Sequence, residues 1–240
     1  MKAKDVLFFT YVDEKYHHFV LPYLFSLMKL NLSADVIVDN KKKFFDTYGK
    51  KLANLHSKVS YSGNTTVHGA YYYGDFSKLI PNIVRFVIQP EVKCKYTYIT
   101  DCDMIINQEM LEKALENNID GMQKNNAPFF NIKRENRDVL SGVHFVETMK
   151  YYPKVVQYLD KIEDLSTINA FGDEGFLYKM VKEVFGDPEK LTEGNERILP
   201  GYHLSPNRNK KYTEIKNLLC KDEDWKYAFS QFSEKFLALF

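Results

Sequence analysis

The stretch that most constrains the fold is Lys95 to Asn107, KYTYITDCDMIIN. Tyr96 to Thr100 is a run of β-branched and aromatic residues, the composition of a buried strand, and it runs straight into Asp101-Cys102-Asp103. Residues two apart on an extended chain point to the same side. Both carboxylates can therefore face one place in the crevice outside the strand's carboxyl end, and such a place suits a divalent cation. Aspartate is also common in turns, so a lone D-x-D can equally be punctuation. The rest of the chain has to decide between the two.

With 240 residues, 45% of them hydrophobic and 15% aromatic, the chain has ample material for a large α/β core. It contains no internal repeat, low-complexity segment or linker, so residues 1–240 are read as a single domain. Its 33 basic residues nearly cancel 32 acidic ones, which excludes a general pull towards nucleic acid. Cys94, Cys102 and Cys220 lack zinc-type spacing, and a disulfide at Cys102 would disturb the paired aspartates, so a reducing compartment is expected. No stretch reaches the roughly 18 apolar residues of a membrane span. The expectation is a cytoplasmic protein whose membrane contact, if it has one, is peripheral at the inner face.

Taken in order, Val6 to Thr10 reads as a first strand that breaks at Tyr11 to Tyr16 into a helix, with Pro22 expected near that helix's first turn. Leu24, Leu27, Met28 and Leu30 give the helix one buried face, and Ala34 to Val38 is a second strand. Strand, helix and strand in so short a span form a βαβ unit with parallel strands and a right-handed crossover. The lysine run Lys41 to Lys43 reads as solvated surface, and a short helix follows from Phe44 to Leu55. Val59 to Tyr61 is a weak third strand, and Ser62 to Asp75 is a loop over the site. Ser77 caps a helix running to Val87, with Lys78 in its first turn and Arg85 further along.

Beyond the paired aspartates, Gln108 to Asn117 is helical, Gly121 to Gln123 a short strand and Phe129 to Asn136 irregular. Val139 to Val146 has a strand pattern interrupted by Gly142, which often marks close approach of a ligand or another backbone. Tyr152 to Ile162 is helical. Gly172-Asp173-Glu174-Gly175 opens a further helix, Phe176 to Phe185, whose positive end suits acidic residues. Leu199 to Leu204 leads to the basic cluster Ser205 to Lys211. A C-terminal amphipathic helix is expected over about 223–240. Its stripe of Trp225, Phe229, Phe232, Phe236 and Leu239 either packs on its own domain or docks on a membrane, and its mixed charges favour the first.

Paired carboxylates at a strand end, a basic cluster and imidazoles elsewhere make up the inventory for holding a metal-bound diphosphate. Mg²⁺ and Mn²⁺ bridge carboxylates to phosphate oxygens, and Mn²⁺ also accepts an imidazole, for which His203 is the candidate. Read in order, Thr10 to Tyr16, Phe76-Ser77-Lys78-Leu79, Asp101-Cys102-Asp103, Ser141-Gly142-Val143, Gly172 to Gly175 and Tyr202-His203-Leu204-Ser205 resemble the signatures of glycogenin-like, family 8 GT-A glycosyltransferases. The resemblance spans about residues 5 to 211.

It implies a GT-A, Rossmann-like, mostly parallel sheet flanked by helices. By the same resemblance, Thr10, Tyr11, Asp13 and Tyr16 hold the nucleotide's base and ribose. Lys78 lies by the donor sugar or phosphate, with Arg85 nearby. Asp101, Asp103 and His203 ligate Mn²⁺ or Mg²⁺, Ser141 and Gly142 line the donor sugar, and Asp173 and Glu174 are the catalytic pair beneath the reacting carbon. The chain departs from the family pattern in three places. Glu174 stands where the family has Gln, Leu140 stands where it has Asn, and the usual H-x-x-G-x-x-K-P-W ending is replaced. Which of Arg208, Lys210 and Lys211 meets the phosphates therefore stays open.

The expected activity is metal-dependent transfer of a sugar from a nucleotide diphosphate donor, a UDP-sugar by resemblance, to a hydroxyl of a glycan or lipid-linked acceptor; retention of the anomer is implied by the resemblance alone, and the residues leave the outcome open. A sugar-phosphate nucleotidyltransferase is the enzymatic alternative, but it should carry a Gly-rich loop after the first strand, and Thr10 to Tyr16 has no glycine. A D-x-D phosphatase would carry its motif after the first strand. A non-catalytic sugar-binding module of the same fold would have no need of Asp101, Asp103, Asp173 and His203.

Overall fold

The central strand is β1 (Val6–Val12), six of whose seven side chains are buried, and a strand covered on both faces belongs in the middle of a sheet. In the computed structural model, which describes residues 5–69, 79–135, 137–204 and 211–240, β1 pairs in parallel with β2 (Ser33–Val38) on one side and β4 (Tyr96–Ile99) on the other. β3 (Thr65–Gly69) extends the sheet beyond β2, again in parallel. β7 (His144–Glu147) runs antiparallel to β4, and β6 (Phe129–Phe130) antiparallel to β7. Among the described residues the order is β3-β2-β1-β4-β7-β6, with β7 alone reversed, so the sheet is mostly parallel.

Side chains alternate along the strands and divide the core between the two faces. Val6, Phe8 and Val12 face one cluster, shared with α1 (His17–Lys29), α2 (Lys41–Lys58), α4 (Gln108–Lys124) and the C-terminal helices. Phe9, Ile37, Ile99 and Val146 face the other, built with α3 (Pro81–Val87), α5 (Thr148–Leu159) and α6 (Gly172–Val184). Helices on both faces of a mostly parallel sheet make this an α/β architecture, as expected. A second, two-stranded antiparallel sheet joins β5 (Met104–Ile106) to β8 (Gly201–His203). The remaining helices are α7 (Pro188–Leu191), α8 (Tyr212–Leu219), α9 (Glu223–Gln231) and α10 (Glu234–Leu237).

Several local expectations change. Pro22 lies inside α1 and not at its first turn, because α1 already begins at His17, directly after the 3₁₀ turn Glu14–Tyr16. The helix expected from Phe44 to Leu55 is longer and takes in the lysine run, since Asn40 caps it by accepting a hydrogen bond from Lys43 N–H. The third strand is Thr65–Gly69, within the stretch expected to be a loop, because Thr65, Thr66 and Val67 supply the β-branched side chains that Val59 to Tyr61 offers more sparsely. Gly121 to Gln123 continues α4 and is not a strand; the missing side chain of Gly121 makes room for the Phe130 ring. Only the end of the segment Val139 to Val146 is strand, and β6 arises where an irregular segment was expected. The C-terminal helix is broken in two, with Ser233 capping α10 through Phe236 N–H.

Candidate active site at the carboxyl ends of the central strands

The chain leaves β4 at Ile99, and Thr100 N–H still donates to Phe9 O at 3.0 Å, which fixes the exit beside β1. Asp101, Cys102 and Asp103 then turn into β5. His203 reaches them through the small sheet: Met104 faces His203 in the ladder, and Leu204 N–H donates to Asp103 O at 2.7 Å. That approach requires Gly201, since a Cβ there would fall 2.1 Å from Ile105 O. His203 Nε2 lies 3.6 Å from Asp101 Oδ2 and 3.7 Å from Asp103 Oδ1. One ligand atom from each of the three residues falls within 4.8 Å of the others.

Two carboxylates and an imidazole are the donor set of a hard or borderline divalent cation. The surrounding charge fits as well. The cavity, of about 260 Å³, is lined among the described residues by five carboxylates (Asp13, Asp101, Asp103, Asp173, Glu174) against three guanidinium groups (Arg85, Arg134, Arg197), an excess that a divalent cation would balance.

Arg85 of α3 joins the metal-type cluster to the acids of α6. It is buried, and its Nη1 donates to Thr100 O at 3.1 Å and to Asp101 Oδ1 at 2.5 Å, while Nη2 lies 3.4 Å from Asp173 Oδ2. Burial works against charge on both Arg85 and Asp101, yet Arg85 and His203 hold the Asp101 carboxyl far below the usual carboxylate range. Asp173 and Glu174 occupy the first turn of α6, which opens at Gly172 with φ +64°, a positive-φ backbone that favours glycine. Burial pushes the Glu174 carboxyl up against the opposing pull of Arg134, with which it is ion-paired. Gly142 N–H donates to Glu174 Oε1 at 3.3 Å, and a Cβ on Gly142 would come 3.0 Å from Arg85 Nη2.

Of the expected nucleotide residues, Tyr11, Asp13 and Tyr16 line the cavity. Thr10 does not, because its place in β1 points it into the buried face of the sheet. Ser141 is also buried behind the wall, its backbone N–H and C=O both bonded to the Asn131 amide. Lys211 does not line the cavity, and its ammonium lies 3.6 Å from Glu214. Lys78, Arg208 and Lys210 lie outside the described residues.

Sequence reasoning missed Asn82, Arg134 and Arg197 on the cavity wall. Arg134 sits in the segment read as irregular, where no periodicity marks a side chain's direction. Asp39 was missed as well, although an aspartate closing a parallel strand is a readable signal. Its Oδ2 accepts from Glu14 N–H at 2.9 Å, and its Oδ1 takes the His17 ring at 2.9 Å, which ties the Asp13–Tyr16 turn to the end of β2.

No protein-family signature and no curated protein matches the chain. Among solved structures it is similar to the apo form of the glycosyltransferase GlyE of Streptococcus pneumoniae TIGR4, at 14% identity and a TM-score of 0.47, over 78% of this chain and 45% of that one. The chain thus spans less than half the length of GlyE. It is also similar to the galactosyltransferase LgtC, solved with donor and acceptor sugar analogs, at 12% identity and a TM-score of 0.47, over 98% of this chain and 100% of that one. TarS of S. aureus matches at 13% identity and a TM-score of 0.36, over 93% and 80% of the two chains. Likenesses this loose carry no activity over to this chain. Among the described residues, no helix is long and apolar enough to cross a membrane.

Proposed function

We propose that this protein is a metal-dependent glycosyltransferase of GT-A type, similar to family 8, that transfers a sugar from a UDP-sugar to a hydroxyl of a glycan or lipid-linked acceptor. One observation carries the reading: Arg85 bridges Asp101, a member of the Asp101–Asp103–His203 cluster, to Asp173 at the start of α6, so a cation site and a carboxylate pair share one cavity.

Asp101, Asp103 and His203 would hold Mn²⁺ or Mg²⁺, which when bound supplies positive charge to a leaving diphosphate. Tyr11, Asp13 and Tyr16, which line the cavity, would take the base and ribose. Arg85, unable to lose its proton and fixed by Asp101 and Asp173, holds those two acids in register with one another. Asp173, in the first turn of α6, is the carboxylate assigned to positive charge developing at the anomeric carbon, and a geometry fixed beforehand avoids reorganisation during the reaction. We read the outcome as retention, the chain as one catalytic domain, and its location as cytoplasmic; the three free cysteines are consistent with the last. The C-terminal stripe gives no support to membrane docking, since Trp225, Phe229, Phe232 and Phe236 are all buried.

The test is a screen of UDP-sugars for UDP release with Mn²⁺ present and absent. The proposal expects at least one donor whose turnover disappears on chelation. Metal-independent release, or none from any nucleotide sugar, would overturn it.

A further inference from the structure

Glu174 gives one oxygen to two donors: Oε1 accepts from Arg134 Nη2 and from Gly142 N–H, the latter at 3.3 Å. Its backbone carbonyl also accepts from Leu140 N–H at 3.2 Å. Arg134 is placed by its own hairpin, in which Ser141 N–H donates to Ile132 O at 3.1 Å, Lys133 bridges Leu140, and Arg134 N–H donates to Val139 O at 3.1 Å. The hairpin and the first turn of α6 are therefore joined at three points around Glu174, and the joint lies beside the tight approach of Gly142 to Arg85.

Arg134 and Glu174 both line the cavity, with side chains 33% and 25% exposed. Glu174 Oε2 makes none of these bonds. A carboxylate oxygen only accepts, so it suits a ligand hydroxyl. Among the described residues, the two guanidinium groups beside the Gly142 turn are already engaged, Arg85 by Asp101 and Asp173, and Arg134 by Glu174, so neither is open to a sugar acid.

We propose that Arg134 is a positioning residue for a neutral, hydroxyl-bearing donor sugar: by pairing with Glu174 it seats the Gly142 turn and leaves the second Glu174 oxygen to accept from a sugar hydroxyl. The inference rests on the glycosyltransferase reading. Without Arg134, Glu174 becomes an unpaired carboxylate beside Asp173 in a half-buried site, and it releases Gly142 by turning to water. The nucleotide end of the cavity, at Tyr11, Asp13 and Tyr16, is untouched by that change.

The experiment compares wild type, Arg134→Met, Glu174→Gln and the double variant by titration with UDP and Mn²⁺, and by UDP release from UDP-glucose, UDP-galactose and UDP-glucuronic acid. Arg134→Met should keep UDP affinity within about twofold while kcat/KM for the best neutral donor falls about tenfold or more. Glu174→Gln in the same chain should restore part of that loss, because the amide oxygen keeps the Gly142 bond without a charge to neutralise, while its N–H in place of the second oxygen can only donate to the sugar hydroxyl. Wild type should turn over UDP-glucuronic acid at least about tenfold less well than the neutral donor. Equal losses for UDP and donor, a double variant no better than Arg134→Met, or a preference for the sugar acid would each overturn the inference. Wild type that binds no UDP would instead remove the reading on which it rests. Arg134→Lys, which keeps the charge but not the forked geometry, replaces Arg134→Met if that variant does not fold, and should show a smaller loss in the same direction.

Discussion

Asp173 and Glu174 are neighbours in sequence with different surroundings, and kinetics should separate them. Asp173 faces Arg85 across 3.4 Å, whereas Glu174 is held by Arg134 and Gly142. If Asp173 supports charge at the reacting carbon, Asp173→Asn should lower kcat by about a hundredfold with donor KM nearly kept. A raised KM with a mild loss of kcat in steady-state assays would show that it only poses the sugar. Asp39 acts at one remove. Asp39→Ala frees Glu14 N–H and the His17 ring from the end of β2, so the Asp13–Tyr16 turn should loosen and UDP affinity fall about tenfold, the scale of one hydrogen bond to a charged group. Isothermal titration gives the answer directly, and unchanged UDP affinity would show that the turn holds without it.

At the scale of elements, the C-terminal helices close the core and do not stand apart from it. Phe236 is fully buried, with its ring edge-on to Phe19 of α1 and against Phe229, Phe232 and Phe240. Phe236→Ala should cost about 3–5 kcal/mol, read as a shift in a urea unfolding midpoint, whereas an unchanged midpoint would mean that α10 contributes nothing to the core. This packing was legible in the sequence as a stripe at helical spacing, but the break at Ser233 was not, because the stripe continues through it. The same contrast holds elsewhere. β1, β2 and β4 announce themselves by dense apolar runs, while β3 is a half-buried strand of Thr, Val and His whose partner lies some thirty residues away. The paired aspartates and the acids of α6 were readable because they sit where elements end. Arg134 and Arg197 were not, since what brings them to the cavity is tertiary.

For the molecule as a whole, acid stability offers a test of the buried sheet face. His144 of β7 is fully buried among Phe86, Phe129 and Tyr151, with Nδ1 2.8 Å from the Asn131 amide, and burial, aided by Arg85, holds its pKa down to about 3. An unfolded histidine titrates near 6.5, so between that pH and about 3 the unfolded chain binds a proton that the folded chain refuses. Stability from this group is intact above the unfolded value and is lost as pH falls, by on the order of a few kcal/mol. His144→Gln should flatten that limb of a melting-temperature profile, and a profile identical to wild type would contradict the assignment. The account's central claim, that the crevice at the strand ends binds a nucleotide diphosphate through a metal held by Asp101, Asp103 and His203, is tested most directly by calorimetric titration of UDP into wild type and Asp103→Asn, each with Mn²⁺ and with chelator. The account predicts binding by wild type only when Mn²⁺ is present and none by Asp103→Asn at an unchanged melting temperature. UDP binding that ignores the metal, or that survives Asp103→Asn, would contradict it.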